Sequence, residues 1–398
     1  MRRFLIGLVG GAVVGYTLQR AGETLEDLRD PAPALEPDPA EYGRQRRSFM
    51  LAGIARSLAT LGVVAYGLGP LVDPPEGEPQ SRARRLALLS VALAGSTLLD
   101  LPVEYVEGYL LERRYGLSRQ SVRAWANEQL KSVAVSTAIS LPLIEALASI
   151  IEAAPAKWPA YATAGSVPLL VLANVIAPTF IAPLFNTFAP IRGDLEERIR
   201  ALATRYGAGD ATILRVDMSR QTEKANAYVS GVLGTRRIVV GDTLLDNFEE
   251  RETLFVVAHE LGHYVSRDVW RAVALGTLAA GAVFFGGNAL AAERERSLAT
   301  AAGVGRLFFN GSLLTLLAGP LLAAFSRSRE RAADRFAVSA TGDAQAGVDA
   351  FSRLRQRNLA EDEQPRWMEV LFSSHPSLKS RIAELQTLAD AAAPGATN

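Results

Sequence analysis

The stretch Val257-Ala258-His259-Glu260-Leu261-Gly262-His263-Tyr264 carries the pattern H-E-x-x-H and uses two of the 3 histidines in the chain. Acidic residues Glu249, Glu250 and Glu252 stand just upstream, so the pattern predicts a helix that begins near Asp246-Asn247 and runs through His263. On a helix, positions i and i+4 stack on one face, so both imidazoles reach a single ion while Glu260 points beside it to handle a metal-bound water. Such an arrangement reads as a zinc site. A buried helix with two hydrogen-bonded histidines is the plainer alternative, and the glutamate between them argues against it.

Around this helix the chain of 398 residues is 49% apolar and contains no cysteine, which excludes disulfide scaffolds, thiolate metal sites and cysteine nucleophiles. Its 42 basic residues balance 42 acidic ones, so no global field favours nucleic acid as a partner. The apolar residues come in runs suited to a lipid bilayer, which needs about 20 residues per crossing. A short run at 4–18 follows Met1-Arg2-Arg3 and is read as a first membrane helix rather than a cleaved signal. Longer runs follow at roughly 48–72, 86–111, 132–152 and 160–190, then a glycine-rich pair at 272–292 and about 303–325 that reads as a membrane hairpin. Arg56, Asp100, Glu104, Glu107 and Glu145 lie in or at the ends of these runs. Either they face a bundle interior or wet cavity, or they sit at interfaces and pair locally.

The intervening segments are polar. Residues 20–47 form a charged, proline-containing linker, and 112–131 read as a basic juxtamembrane loop. After Pro190 the texture is that of a soluble domain: a helix over 193–206, then short strands at Ala211–Met218, Thr222–Ser230 and Arg237–Asp242, a small sheet ahead of the zinc helix. A polar segment of mixed charge runs from Ser326 to the end, and its Ala, Pro and Gly tail after Asp390 is expected to be disordered. Four parts result: 1–190, membrane helices and loops; 191–271, the sheet and zinc helix; 272–325, the membrane hairpin; 326–398, the closing part of the catalytic domain.

A catalytic zinc needs a third protein ligand and an open position. A third histidine six residues past the second is ruled out, because Val269 stands there. Glu330, on a helix emerging from the hairpin, is the candidate. Asp334, one turn later, is placed to reach a ring N–H of a zinc histidine and set its tautomer. Taken alone, that segment also reads as a solvated charge run of alternating sign. Zinc in such a site lowers the pKa of its water and polarises a carbonyl, with Glu260 passing the proton to the leaving amine. His375 is the remaining histidine, and by itself a lone histidine is more often a surface or capping residue.

In order, Tyr115-Gly116-Leu117-Ser118-Arg119-Gln120-Ser121, Pro183-Leu184-Phe185-Asn186, Asn226-Ala227-Tyr228 with Gly231, Asp242-Thr243-Leu244-Leu245, the H-E-x-x-H helix, the Glu330 segment and His375-Pro376 through Arg381 resemble the integral-membrane zinc endopeptidases of the CAAX prenyl protease 1 type. Leu117-Ser118 departs from that family, which more often has an aromatic residue and an asparagine there. The resemblance implies an all-α membrane bundle of about seven transmembrane helices enclosing a chamber, joined to a small α+β metalloprotease domain with a short β-sheet. It implies one Zn2+ per chain held by His259, His263 and Glu330, catalysis by Glu260, support from Asp334, a cleft lined by Asn226, and transition-state or substrate contacts from His375 and Arg381. Asn226 would then sit on an edge strand able to pair with an extended substrate.

The leading expectation is a multi-pass membrane zinc endopeptidase hydrolysing peptide bonds of membrane-associated polypeptides, prenylated ones included. General quality-control proteolysis of membrane proteins is the second reading, and an inactive scaffold relative is a third that Glu260 and the full ligand set oppose. Lys and Arg are nearly balanced between the two sides of the membrane; the resemblance favours a zinc site facing the cytoplasm with the N-terminus outside, and the Arg- and Ala-rich composition points to a bacterial inner membrane.

Overall fold

A computed structural model describes residues 37–75, 78–292 and 298–392. The expected first membrane run at 4–18 and the end of the tail lie outside the described residues. Among those described, six helices are long and apolar enough to cross a membrane. They are α1 (Pro39–Leu68), α2 (Arg82–Arg114), α3 (Val122–Ala153), α4 (Trp158–Phe185), α7 (Asp268–Ala292) and α8 (Ala301–Thr341). Most residues in their apolar windows are not buried within the protein, so lipid must cover them. The protein is therefore a multi-pass membrane protein.

Of the ionisable residues in the spans, Arg56, Asp100 and Glu145 form ion pairs between helices. Arg56 Nε meets Asp100 Oδ1 at 2.6 Å. Arg85 grips Glu145 with two donors at 2.9 and 2.5 Å and reaches Glu152 at 3.1 Å. A cavity of about 790 Å³ opens between the helices, lined by apolar side chains such as Ile54, Leu147, Leu169, Val283, Phe284 and Leu307.

Between α4 and α7 lies a small domain. Its elements are β1 (Phe188–Pro190), α5 (Asp194–Arg205), β2 (Thr212–Val216), β3 (Ala227–Ser230), β4 (Arg237–Gly241) and α6 (Glu250–Val265). The sheet order is β1-β2-β4-β3, with β2 and β4 parallel and both outer pairs antiparallel, so β3 is an edge. β1 was not anticipated: the apolar run assigned to 160–190 ends at Phe185 and turns into a strand. The segment expected as a loop over 112–131 is largely helical, because Ser121 caps α3 by accepting from Ala124 N at 3.2 Å. Residues 222–226, expected inside a strand, precede β3 without regular structure.

α6 starts later than the sequence implies. Glu249 is its N-cap in a capping box with Glu252, while Asp246 and Asn247 follow a separate short turn of helix at Asp242–Leu245. Nearly all of α6 is inside: Phe255, Val257, Ala258 and Leu261 are fully buried, and the helix packs against β3, α5, α8 and α9 (Ala344–Arg357), with β4 and the closing helix α11 (Leu378–Ala392) sharing the same core. Burial of a side chain the size of Phe255 or Leu261 is worth about 1.5–3 kcal/mol, which makes α6 the rigid centre of the domain. Between α9 and α11 lies the short α10 (Arg366–Phe372).

The 41 residues of α8 form one continuous helix, roughly 60 Å long against a hydrocarbon core of about 30 Å. Its first half belongs to the bundle and its second half extends beyond it, carrying Glu330 and Asp334 to α6.

Candidate active site

α6 and the extended end of α8 cross at Gly262. A Cβ there would stand 3.1 Å from both Ala333 Cα and Phe336 Cδ1, so the glycine between the two histidines is what lets α8 approach. The approach brings ligand atoms of His259, His263 and Glu330 within 4.8 Å of one another. His259 Nε2 and His263 Nε2 are 3.3 Å apart, and the Glu330 carboxylate lies 3.4 Å from the first and 3.3 Å from the second.

The other ring nitrogens are occupied. His259 Nδ1 is 2.9 Å from Asp334 Oδ1, and His263 Nδ1 is 2.9 Å from Asp268 Oδ2. With each Nδ1 held against a carboxylate, both Nε2 atoms turn to the same space as the Glu330 carboxylate, where a divalent cation would take the place of ring protons in balancing its charge. Glu330 Oε2 is moreover buried without a hydrogen bond. Two imidazoles and a carboxylate are donors suited to zinc, so the residues fit a divalent metal.

The charges around this set are ordered. Arg381, on α11, donates to Asp334 through Nε at 2.8 Å and Nη2 at 2.6 Å, lies 4.2 Å over the Phe351 ring, and stands 3.4 Å from Glu330 Oε2. Burial works to lower the His259 pKa, but the bonds to Asp334 and Glu330 outweigh it and carry the ring up to about 9 before any metal enters. Burial raises the Glu260 carboxyl above its ordinary value, against the opposing pull of both histidines and the Val229 N–H. His375, in the loop between α10 and α11, is exposed; its Nε2 is 3.3 Å from Glu330 Oε1 and its Nδ1 2.8 Å from Ser374 Oγ.

Asn226 stands exposed at the entrance to β3, and its carbonyl accepts from Gly241 N at 2.9 Å. Because hydrogen-bonding direction alternates along a strand, Tyr228 and Ser230 also face β4, while Ala227 and Val229 present their backbone groups on the free edge. The Val229 N–H acting on Glu260 shows that this edge borders the H-E-x-x-H helix.

The structure thus brings Glu330, Asp334, His375 and Arg381 to the H-E-x-x-H helix and places Asn226 at the head of the neighbouring strand. Asp268 was missed. Its oxygens also take Arg329 Nε at 2.8 Å and Arg271 Nη1 at 3.3 Å, linking the start of α7 to α8. It reaches His263 because Arg267, at φ 55, breaks the helix and turns the chain back. The one available signal was an acid five residues past the second histidine, which no helical spacing makes meaningful.

Comparison with known proteins agrees with this geometry. Residues 39–187 match the model described as CAAX prenyl protease N-terminal, five membrane helices, and residues 191–389 match peptidase family M48. An uncharacterized metalloprotease of Bacillus subtilis (YhfN) is 30% identical over 297 residues, covering 72% of this chain and 70% of that protein. CAAX prenyl protease 1 of Saccharomyces cerevisiae is 34% identical over 184 residues, which are 46% of this chain and 41% of the yeast protein. The crystal structure of S. mikatae Ste24p shares the fold with a TM-score of 0.74 at 24% identity, covering 96% of this chain and 98% of that one. A membrane bundle joined to a metalloprotease domain, with both halves matched in order, means that the chain belongs to peptidase family M48, in the CAAX prenyl protease 1 type.

Proposed function

We propose that the chain is a zinc-dependent endopeptidase that hydrolyses peptide bonds of membrane-associated polypeptides, lipid-modified ones among them. The observation that carries this reading is the convergence of the His259 and His263 Nε2 atoms with the Glu330 carboxylate beside the Glu260 side chain. His259, His263 and Glu330 would hold the metal, with Asp334 and Asp268 fixing the two ring tautomers. When bound, zinc supplies Lewis-acid polarisation of the scissile carbonyl and acidifies water at the site.

The chain's own residues do the rest. An extended substrate pairs with the free backbone groups of the β3 edge, those of Ala227 and the Val229 carbonyl, which fixes the scissile bond over α6. Asn226, beside them, lines the cleft. Glu260 accepts a proton from the attacking water on its carboxylate and passes it to the departing nitrogen. Its raised pKa suits a group that must keep a proton between those two transfers. His375 and Arg381 provide donors near the developing oxyanion, and the Arg381 guanidinium offsets the negative charge of Asp334 and Glu330.

Because α8 continues from the bundle into the site, cleavage takes place close to the bilayer surface, on a side we assign to the cytoplasm of a bacterial inner membrane. The relatives named as CAAX prenyl proteases support lipid-modified substrates. Purified protein should contain about one zinc per chain and cleave a prenylated peptide, and Glu260→Gln should keep the metal and lose cleavage. Activity confined to unmodified peptides would turn the assignment toward general quality-control proteolysis. Cleavage by rigorously metal-free wild type would refute it.

A further inference from the structure

The segment feeding the β3 edge is held by the membrane helices. Glu112, buried at the C-terminal end of α2, takes three donors: Tyr42 Oη at 2.5 Å and Arg46 Nη1 at 2.8 Å, both from α1, and Lys224 Nζ at 2.7 Å. Lys224 Nζ also donates to Tyr42 Oη at 2.8 Å. Lys224 lies two residues before Asn226 and three before the first residue of β3.

Its neighbours are tied to the same quarter. Glu223 N donates to Leu117 O at 2.9 Å, Thr222 Oγ1 donates to the same carbonyl at 3.0 Å, and Ser118 bridges Thr222. On the other side Asn358 takes Ala225 N at 2.9 Å and returns a bond to Ala225 O at 3.2 Å, and Thr243 Oγ1 donates to Lys224 O at 2.9 Å. Residues 222–226 have no regular structure of their own, yet each is fastened. The buried ionic tether among these contacts comes from α1 and α2.

We propose that Glu112 is a positioning residue for the substrate: through Lys224 and Tyr42 it sets the β3 edge against α6, so the membrane helices control how strongly an extended peptide pairs beside the metal site. The proposal rests on the endopeptidase reading above. A strand free on one side is located by its single partner β4 and by the chain that enters it. Loosening that entry shifts Ala227 and Val229 relative to Glu260 without touching a metal ligand. The loop Tyr115–Ser121 thereby acquires a role: it is the bracket against which the entry segment is pinned, and Leu117 and Ser118 act there through backbone and hydroxyl contacts that do not need an aromatic residue or an asparagine.

The test separates binding from chemistry. In Glu260→Gln protein loaded with zinc, the dissociation constant of an uncleaved substrate peptide is measured with and without Glu112→Gln. In otherwise wild-type protein KM, kcat and zinc affinity are measured with the same substitution. Loss of one or two backbone pairings predicts that peptide dissociation constant and KM rise about five- to tenfold while kcat and zinc affinity stay within about twofold. Lys224→Met should reproduce the effect, and the double variant should add little to either single one, since both remove one interaction. Unchanged peptide affinity in both folded variants overturns the proposal, as does a parallel fall in kcat and zinc affinity, which marks a general structural role. Failure of the endopeptidase reading would look different: wild-type protein that neither binds zinc nor cleaves any peptide.

Discussion

Asp268 offers the sharpest test of the metal site, because it touches no substrate and lies outside the H-E-x-x-H pattern. Its Oδ2 is 2.9 Å from His263 Nδ1 and its Oδ1 takes Arg329 Nε at 2.8 Å. An asparagine there keeps the shape and removes the charge. Whichever way its amide turns, an NH2 group faces either the His263 Nδ1–H or the Arg329 N–H, so one of the two bonds is lost and two donors confront each other. The ring then loses the partner that holds its Nε2 toward Glu330. Loss of such a carboxylate partner costs about 10–100-fold in metal affinity, or roughly 1.4–2.7 kcal/mol. The partly exposed His263 ring lets water take over some of the lost bond, which points to the lower part of that range. Competitive zinc titration of the detergent-solubilised protein against a chelating dye reads this directly. Cleavage at saturating zinc should recover to near the wild-type rate, because Glu260 is untouched. A folded Asp268→Asn protein with wild-type zinc affinity would refute the claim that this carboxylate orients His263.

Three further outcomes are expected. If Glu260 takes up the water proton, it does so as a carboxylate, so kcat/KM of the zinc-loaded protein should fall on the acid side; a kcat/KM that stays flat as pH drops, over the range in which zinc is retained, would refute Glu260 as the base. Gly262→Ala places a methyl 3.1 Å from Ala333 Cα and Phe336 Cδ1, so α8 must retreat by a few tenths of an ångström; a loss of about 1–3 kcal/mol in thermal stability and weaker zinc binding should appear together. Arg85→Met leaves Glu145 as a buried charge without its two closest donors, and a destabilisation of about 3–5 kcal/mol, read as a lowered Tm, should follow while the purified protein keeps its zinc affinity.

The membrane character and the H-E-x-x-H helix were legible in one dimension for a simple reason: bilayer thickness and the 3.6-residue turn are local rules, so apolar runs and the i, i+4 histidines announce themselves. The boundaries were less so. The helix start was placed too early because acids near an N-terminus also occur in the cap itself, and Glu249 proved to be that cap. β1 was absorbed into a membrane run because three residues, Phe188 to Pro190, carry no periodicity, and they become a strand only by pairing with β2.

What the sequence alone determined is the set of chemical types: two histidines and a glutamate on one turn, a further acid beyond a membrane hairpin, and enough apolar length to cross a bilayer several times. What only the tertiary structure decided is which distant groups complete the site. Glu330, Asp334 and Arg381 meet His259 because α8 runs unbroken out of the bundle and Gly262 lets it close on α6; Asp268 meets His263 because the chain reverses at Arg267; Lys224 meets Glu112 because α1 and α2 end beside the edge strand. Each is a contact between segments with no shared periodicity, and such contacts are set by packing, which a linear pattern does not encode.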